Sequence, residues 1–281
     1  MPGAYNGLTA RMIAQMNFKA TYLSGASLTG SRGVPDIGVL GLQDFTQTIK
    51  DIYDSSELPI IADADTGFGE GEMCAKTVYE YIKAGAAGLH IEDQEFPKRC
   101  GHLAGKTLIP ISEMTKKVQI CANQRDKHSN GDFIICARTD ARGVEGLDSA
   151  INRAKHFIDA GADMIFPEGL ESLQEFEIVS QALKNHKKEI YLLANMTEFG
   201  KTPHISLQDF QQRGYSCVIY PVSTLRIAMG AIQKFLAQLQ SEGRVTDEML
   251  QSMLTRQELY DLLNYKPGEE WYYPSPKQPK E

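Results

Sequence analysis

No stretch of this 281-residue chain stays apolar for the ~18 residues a membrane helix needs. Its opening residues read neither as a signal peptide nor as an arginine-rich transit segment. A basic surplus is missing too: 29 Lys and Arg against 36 Asp and Glu leave a net charge of −7. That argues against nucleic acid, whose phosphates select a basic stripe. "DADTGFGEGE" carries Gly67, Gly69 and Gly71 without the G-x-G-x-x-G spacing and with no Lys-Ser/Thr after them, so it is not a nucleotide loop. The five cysteines (74, 100, 121, 136, 217) are an odd set, which speaks for free thiols in a reducing compartment over a disulfide framework. Cys100-x-His102 lacks a second ligand pair at zinc spacing.

What is present is a chain that is 42% hydrophobic, in which short apolar runs alternate with longer amphipathic segments. Strands are expected near Ala20–Ser24, Ile60–Asp63, Gly88–Glu92, Phe133–Arg138, Asp163–Pro167, Ile190–Asn195 and Cys217–Tyr220. Helices such as Glu72–Ala84, Ser112–Arg125 and Leu147–Ala160 lie between them. "KAGAAGLHIED" and "DAGADMIFPE" repeat one device, a helix stopped at Ala-Gly before a buried strand that ends in an acid. The period is that of βα units, and the expected fold is α/β, a (β/α)8 TIM-type barrel. Only seven strands can be counted, and "MPGAYNG" reads as a strand-to-helix loop, so the first strand is expected to lie upstream of Met1.

The barrel domain is placed at residues 1–245, a helical segment at 246–265 and a Pro- and charge-rich tail at 266–281. "SLTGSRGVPDIGVLGLQD" and "QEFPKRCGHLAGKTLIPISE" are too long for plain connections and read as lids.

Barrel enzymes carry their chemistry where the strands end. Those ends present Tyr22, Ser24 and Gly25; Asp63 and Asp65; Glu92; Arg138; Glu168; Asn195 and Thr197; with Arg226 just beyond. Asp63 and Asp65, two apart, suit the hard cation Mg²⁺, although either one alone reads equally as a helix cap. Arg138 and Arg226 could clamp carboxylates or be ordinary surface charges. Cys100 sits among Lys98, Arg99 and His102, cations that favour the thiolate. The bland alternative is a basic loop that happens to contain Cys. His90 reads as structural and His102 as a lid hydrogen-bonder.

"KRCGH", "DADTGFG", "GLHIEDQ", "ARTDA", "FPE" and "LANMTEFGKTP" together resemble the isocitrate lyase/phosphoenolpyruvate mutase superfamily, closest to its methylisocitrate lyase branch, from Pro2 to about Tyr265. The mutases and oxaloacetate decarboxylases lack the lid cysteine, and the isocitrate lyases are much longer. The resemblance implies Mg²⁺-dependent cleavage of a tricarboxylate, 2-methylisocitrate, to pyruvate and succinate, with Mn²⁺ as a substitute metal. Lyases for isocitrate or dimethylmalate, and oxaloacetate decarboxylase or phosphonopyruvate hydrolase, are the alternatives, with a catalytically dead scaffold outside that class.

Carried over, Asp63, Asp65 and Glu92 hold the metal. Ser24, Gly25, Ala26, Cys100, Gly101, Arg138, Glu168, Asn195, Met196, Thr197, Arg226 and Arg256 bind substrate. Cys100, His102 and Tyr22 form the catalytic set, Cys100 as the acid and Tyr22 as the base. Phe166 and Ile219 are expected to bound the pocket around the substrate's methyl group. A homotetramer follows from the resemblance, with Asp247–Leu263 on a neighbouring subunit bringing Arg256 to a site. So does a cytoplasmic location in a bacterium, or the mitochondrial matrix in a eukaryote.

Overall fold

A computed structural model describes residues 1–99 and 105–274. Helix α1 (Gly7–Gln15) leads to β1 (Thr21–Leu23), followed by the short α2 (Gly25–Ser31) and α3 (Leu42–Ser56). Then β2 (Ile60–Asp63), α4 (Gly71–Ala84), β3 (Gly88–Glu92), α5 (Ile111–Ser129), β4 (Ile134–Thr139), α6 (Leu147–Asp159) and β5 (Met164–Pro167) alternate. The barrel continues through α7 (Leu173–His186), β6 (Tyr191–Asn195), α8 (Leu207–Gln212), β7 (Cys217–Ile219) and α9 (Ser223–Glu242). Two short helices, α10 (Asp247–Gln251) and α11 (Arg256–Leu262), end the helical part.

The seven strands pair in parallel in chain order, β1 to β7. Between β7 and β1 lies the chain's own beginning. Gly3 N–H donates to the Tyr220 carbonyl at 2.9 Å and Ala4 N–H to that of Tyr22 at 2.8 Å. In return Tyr220 N–H bonds Met1 at 3.0 Å and Tyr22 N–H bonds Pro2 at 3.1 Å. The seven-strand count holds. "MPGAYNG", however, does more than connect: Met1–Ala4 is extended backbone bridging the two strands that would otherwise be edges.

The "KAGAAG" device works as its residues require. Gly85 closes α4 with φ 98°, and a Cβ there would lie 2.6 Å from the ring of Tyr53, so only glycine fits. The expected tail helix is broken in two. Thr255 caps α11 by accepting from Glu258 N–H, and the Glu258 carboxylate reaches back to Thr255 N–H, a capping box that starts a new helix. Met249 and Leu262 are buried, and α11 touches α1 of the same chain.

Strand side chains alternate, and the two faces go to different cores. One face packs under the helices, with Leu23, Ile60, Ala62, Leu89, Ile135 and Leu192 buried there. The other fills the barrel with Tyr22, Ile61, Cys136, Met164, Phe166, Leu193 and Ile219, and Met1 packs on that cluster from the bridging segment.

Candidate active site

Continuing each inward column by two residues gives the site. Ile61 leads to Asp63, His90 to Glu92, Cys136 to Arg138, Phe166 to Glu168 and Leu193 to Asn195, all at the C-terminal mouth of the barrel. A cavity there is lined by Tyr22, Ser24, Ala26, Asp63, Arg138, Glu168, Asn195, Thr197 and Arg226, and its apolar wall includes Phe166 and Ile219. Nine expected site residues and both pocket-bounding side chains thus meet.

Others sit differently. Gly25 starts α2 and donates its N–H to Asp63 Oδ2 at 3.0 Å, so it serves the aspartate rather than the cavity wall. Met196 is buried in the outer core, its sulfur accepting from Ile205 N–H at 3.3 Å, because alternation turns it away while Asn195 and Thr197 face in. Arg256 is exposed at the start of α11 and does not line the cavity. Cys100, Gly101 and His102 lie outside the described residues. Three lining residues escaped the sequence-based set, Asp36, Lys98 and Arg99, all from the two long loops. A lone acid in "GVPDIG" carries no signal until the fold brings it to the cluster.

Asp63 and Asp65 do meet, though not through strand geometry. The strand ends at Asp63, and Asp65 adopts φ 45°, a left-handed turn that lets its N–H bond Asp63 Oδ1 at 3.0 Å. Neither caps α4, whose N-cap is Glu70. Burial opposes ionisation of Asp63, but His90, Lys98 and Arg138 outweigh it and bring the carboxyl down to about 2. Burial pushes His90 down to about 4 against the pull of Asp63, so the imidazole is uncharged near neutrality and the two cations carry that effect. Asp65, raised by burial and then by Asp63, reaches about 7.

Tyr22 Oη lies 2.6 Å from His90 Nε2, and that nitrogen is 3.5 Å from Asp63 Oδ1. His90 is therefore more than packing: it joins Tyr22 to the acidic cluster. Arg138 is held by Asp140 (Nε to Oδ2, 3.0 Å), sits 3.2 Å from Glu92 and 3.6 Å from Glu168, and covers the Phe166 ring at 5.1 Å. Asn195 donates to Glu168 Oε2 at 3.1 Å. Arg226 reaches the Glu198 carbonyl at 2.6 Å at the rim.

The acidic cluster fits a hard cation. Glu92 Oε1 is buried with no hydrogen-bond partner among the described residues, and Asp65 Oδ1, 2.8 Å from Lys98 Nζ, lacks hydrogen-bond geometry. Among the described residues no three His, Cys, Asp or Glu side chains converge on one direct cation position, which suits Mg²⁺, an ion that keeps several waters.

The comparisons with known proteins agree with this geometry. Residues 1–240 match the phosphoenolpyruvate phosphomutase family. The chain belongs to the phosphoenolpyruvate mutase/isocitrate lyase superfamily. Within that superfamily it is 45% identical to the 2-methylisocitrate lyase of Aeropyrum pernix, over 94% of this chain and 82% of that one. It is 39% identical to the 2-methylisocitrate lyase of Escherichia coli, over 95% and 88%. Among solved structures, oxaloacetate acetylhydrolase bound to 3,3-difluorooxalacetate superposes with a TM-score of 0.85 at 34% identity, covering 93% of this chain and 86% of that one. A phosphonopyruvate hydrolase with oxalate and Mg²⁺ gives 0.81 at 26% identity, over 94% and 89%.

Proposed function

We propose that the chain is a carbon–carbon lyase that cleaves 2-methylisocitrate to pyruvate and succinate, a step of propionate breakdown. The observation that carries this reading is the inward column of acids and Arg138 beneath an apolar wall of Phe166 and Ile219, in a chain 38–46% identical to 2-methylisocitrate lyases.

Asp63, Asp65 and Glu92 would hold Mg²⁺, directly or through water, with Mn²⁺ as a substitute. When bound, the metal supplies Lewis-acid polarisation of the oxygen that becomes the ketone of pyruvate. The chain's own residues move the protons and bind the carboxylates. The Tyr22–His90 pair takes the substrate's hydroxyl proton as the carbon–carbon bond breaks and its electron pair passes to the succinate half. Arg138, with Glu168, Asn195 and Thr197 around it, holds substrate oxygens and offsets the developing charge. Ser24 and Ala26 line the opposite side at the start of α2. Cys100, directly after Arg99, returns a proton to the carbon left on succinate, and His102 and Gly101 belong to the same loop.

A homo-oligomer completes the reading. Helix α9 runs twenty residues without one buried side chain, and Ile227, Met229, Ile232 and Leu236 are exposed along it. Such a helix is stabilised by packing on a neighbour. A tetramer formed this way is the route by which Arg256 of one subunit would reach another subunit's site. A bacterial chain of this kind works in the cytoplasm.

The test is a panel. With Mg²⁺ present, 2-methylisocitrate, isocitrate, 2,3-dimethylmalate and oxaloacetate are offered separately and the keto acid or oxalate formed is measured. The highest kcat/KM belongs to 2-methylisocitrate, and a higher value for any other substrate overturns the assignment.

A further inference from the structure

Lys98 is the most deeply buried lysine at the barrel mouth, its side chain 3% exposed. An ammonium is kept in such a place only when it is paired. Its Nζ lies 2.5 Å from Asp36 Oδ1 and 2.8 Å from Asp65 Oδ1. Those three residues come from three separate places: the 32–41 loop after α2, the turn after β2, and the 94–99 loop after β3.

The 94–99 loop is held in shape to aim Lys98 inward. Gln94, itself buried, bonds Arg99 at both ends of its amide, accepting from the Arg99 N–H at 2.9 Å and donating to the Arg99 carbonyl at 2.8 Å. The 32–41 loop has fewer anchors, chiefly Val34 N–H to Thr29 and Ile37 N–H to Pro35, both 3.1 Å. A second contact joins the two loops. Gly38 has φ 75°, and a Cβ placed on it would fall 2.6 Å from the ring of Phe96. One apolar and one ionic contact therefore tie the same two segments together, and Asp65 pins the ionic one to the acidic cluster.

We infer that the 32–41 and 94–99 loops open and close as one unit over the mouth of the barrel, with Lys98 clasping Asp36 as their latch and Asp36 and Lys98 acting as positioning residues. The coupling is a property of how the two loops meet and does not rest on the reaction proposed above.

Hydrogen exchange on the full chain tests it, because coupled loops must respond to each other's mutations. Asp36→Asn raises exchange at the Glu95 and Arg99 amides, and Lys98→Met raises it at Val34 and Ile37, each by about tenfold, the loss of roughly one charge-assisted bond. Phe96→Ala, which leaves all charges in place, raises exchange at Val34 and Ile37 in the same direction. Asp36→Glu, which keeps a carboxylate for Lys98, restores the slow exchange at Glu95 and Arg99. Protected β3 amides in every variant show that the barrel is intact. Changes confined to the mutated loop overturn the proposal, as does an Asp36→Glu variant that exchanges as fast as Asp36→Asn.

Discussion

Replacing Tyr22 with Phe removes a single oxygen and separates what the phenol does for stability from what it does for chemistry. The hydroxyl is buried, 2.6 Å from His90 Nε2. The other ring nitrogen, Nδ1, already has no hydrogen-bond partner among the described residues. Without the phenol, the imidazole keeps only Asp63 Oδ1, at 3.5 Å, as a polar neighbour. Leaving one buried polar group unsatisfied costs about 1–3 kcal/mol, which for a domain of this size lowers Tm by about 2–10 °C. The ring itself stays packed, so no cavity adds to that figure. Catalysis should fall much further. Burial, and next the Asp63 charge, raise the Tyr22 pKa, so the phenol alone is a poor base. The neutral His90 beside it gives the proton a place to go. Losing a positioned proton acceptor costs about 10²–10⁴ in kcat, while KM moves only a few-fold because the substrate carboxylates bind elsewhere. Steady-state kinetics with 2-methylisocitrate and a thermal melt on the same preparation separate the two effects. A Tyr22→Phe enzyme with kcat within a few-fold of the parent refutes the proton role, and an unchanged Tm refutes the buried bond.

Cys100→Ser should abolish turnover and leave substrate-analogue binding within a few-fold, since a hydroxyl cannot act as the acid near neutral pH; near-parent turnover sinks that assignment. Chelation should remove activity and Mg²⁺ or Mn²⁺ restore it, whereas Asp63→Ala, tested by direct Mn²⁺ binding, should no longer retain the ion. Mn²⁺ affinity itself should rise with pH from about 6 to about 8, because a metal must displace the proton that Asp65, raised to about 7, still carries below that pH; a flat profile contradicts it. Asp140→Asn, which weakens the hold on Arg138 at 3.0 Å, should raise KM more than it lowers kcat, read from initial rates on 2-methylisocitrate.

The sequence by itself determined the barrel. Period-two alternation within seven short apolar runs, spaced by amphipathic helices, admits few other arrangements, and Gly88–Glu92 and Ile60–Asp63 are strands over the expected residues. The same alternation made Asp63, Glu92, Arg138, Glu168 and Asn195 legible as site residues, because each is the polar end of an inward column. Whatever depends on segments far apart in the chain was settled only by the tertiary structure. Asp36 and Lys98 are 62 positions apart and become partners only when two loops cross the barrel mouth. His90 reads as packing until Tyr22, 68 positions away, is laid against it. Met196 sits between two site residues in sequence and faces the opposite core, and Met1–Ala4, which reads as a loop, bridges β7 to β1. Local pattern fixes which way a strand residue points, because that direction repeats every two residues. It carries no information about which distant loop will close over it, because that is set by barrel curvature and by the burial of charges that must find partners.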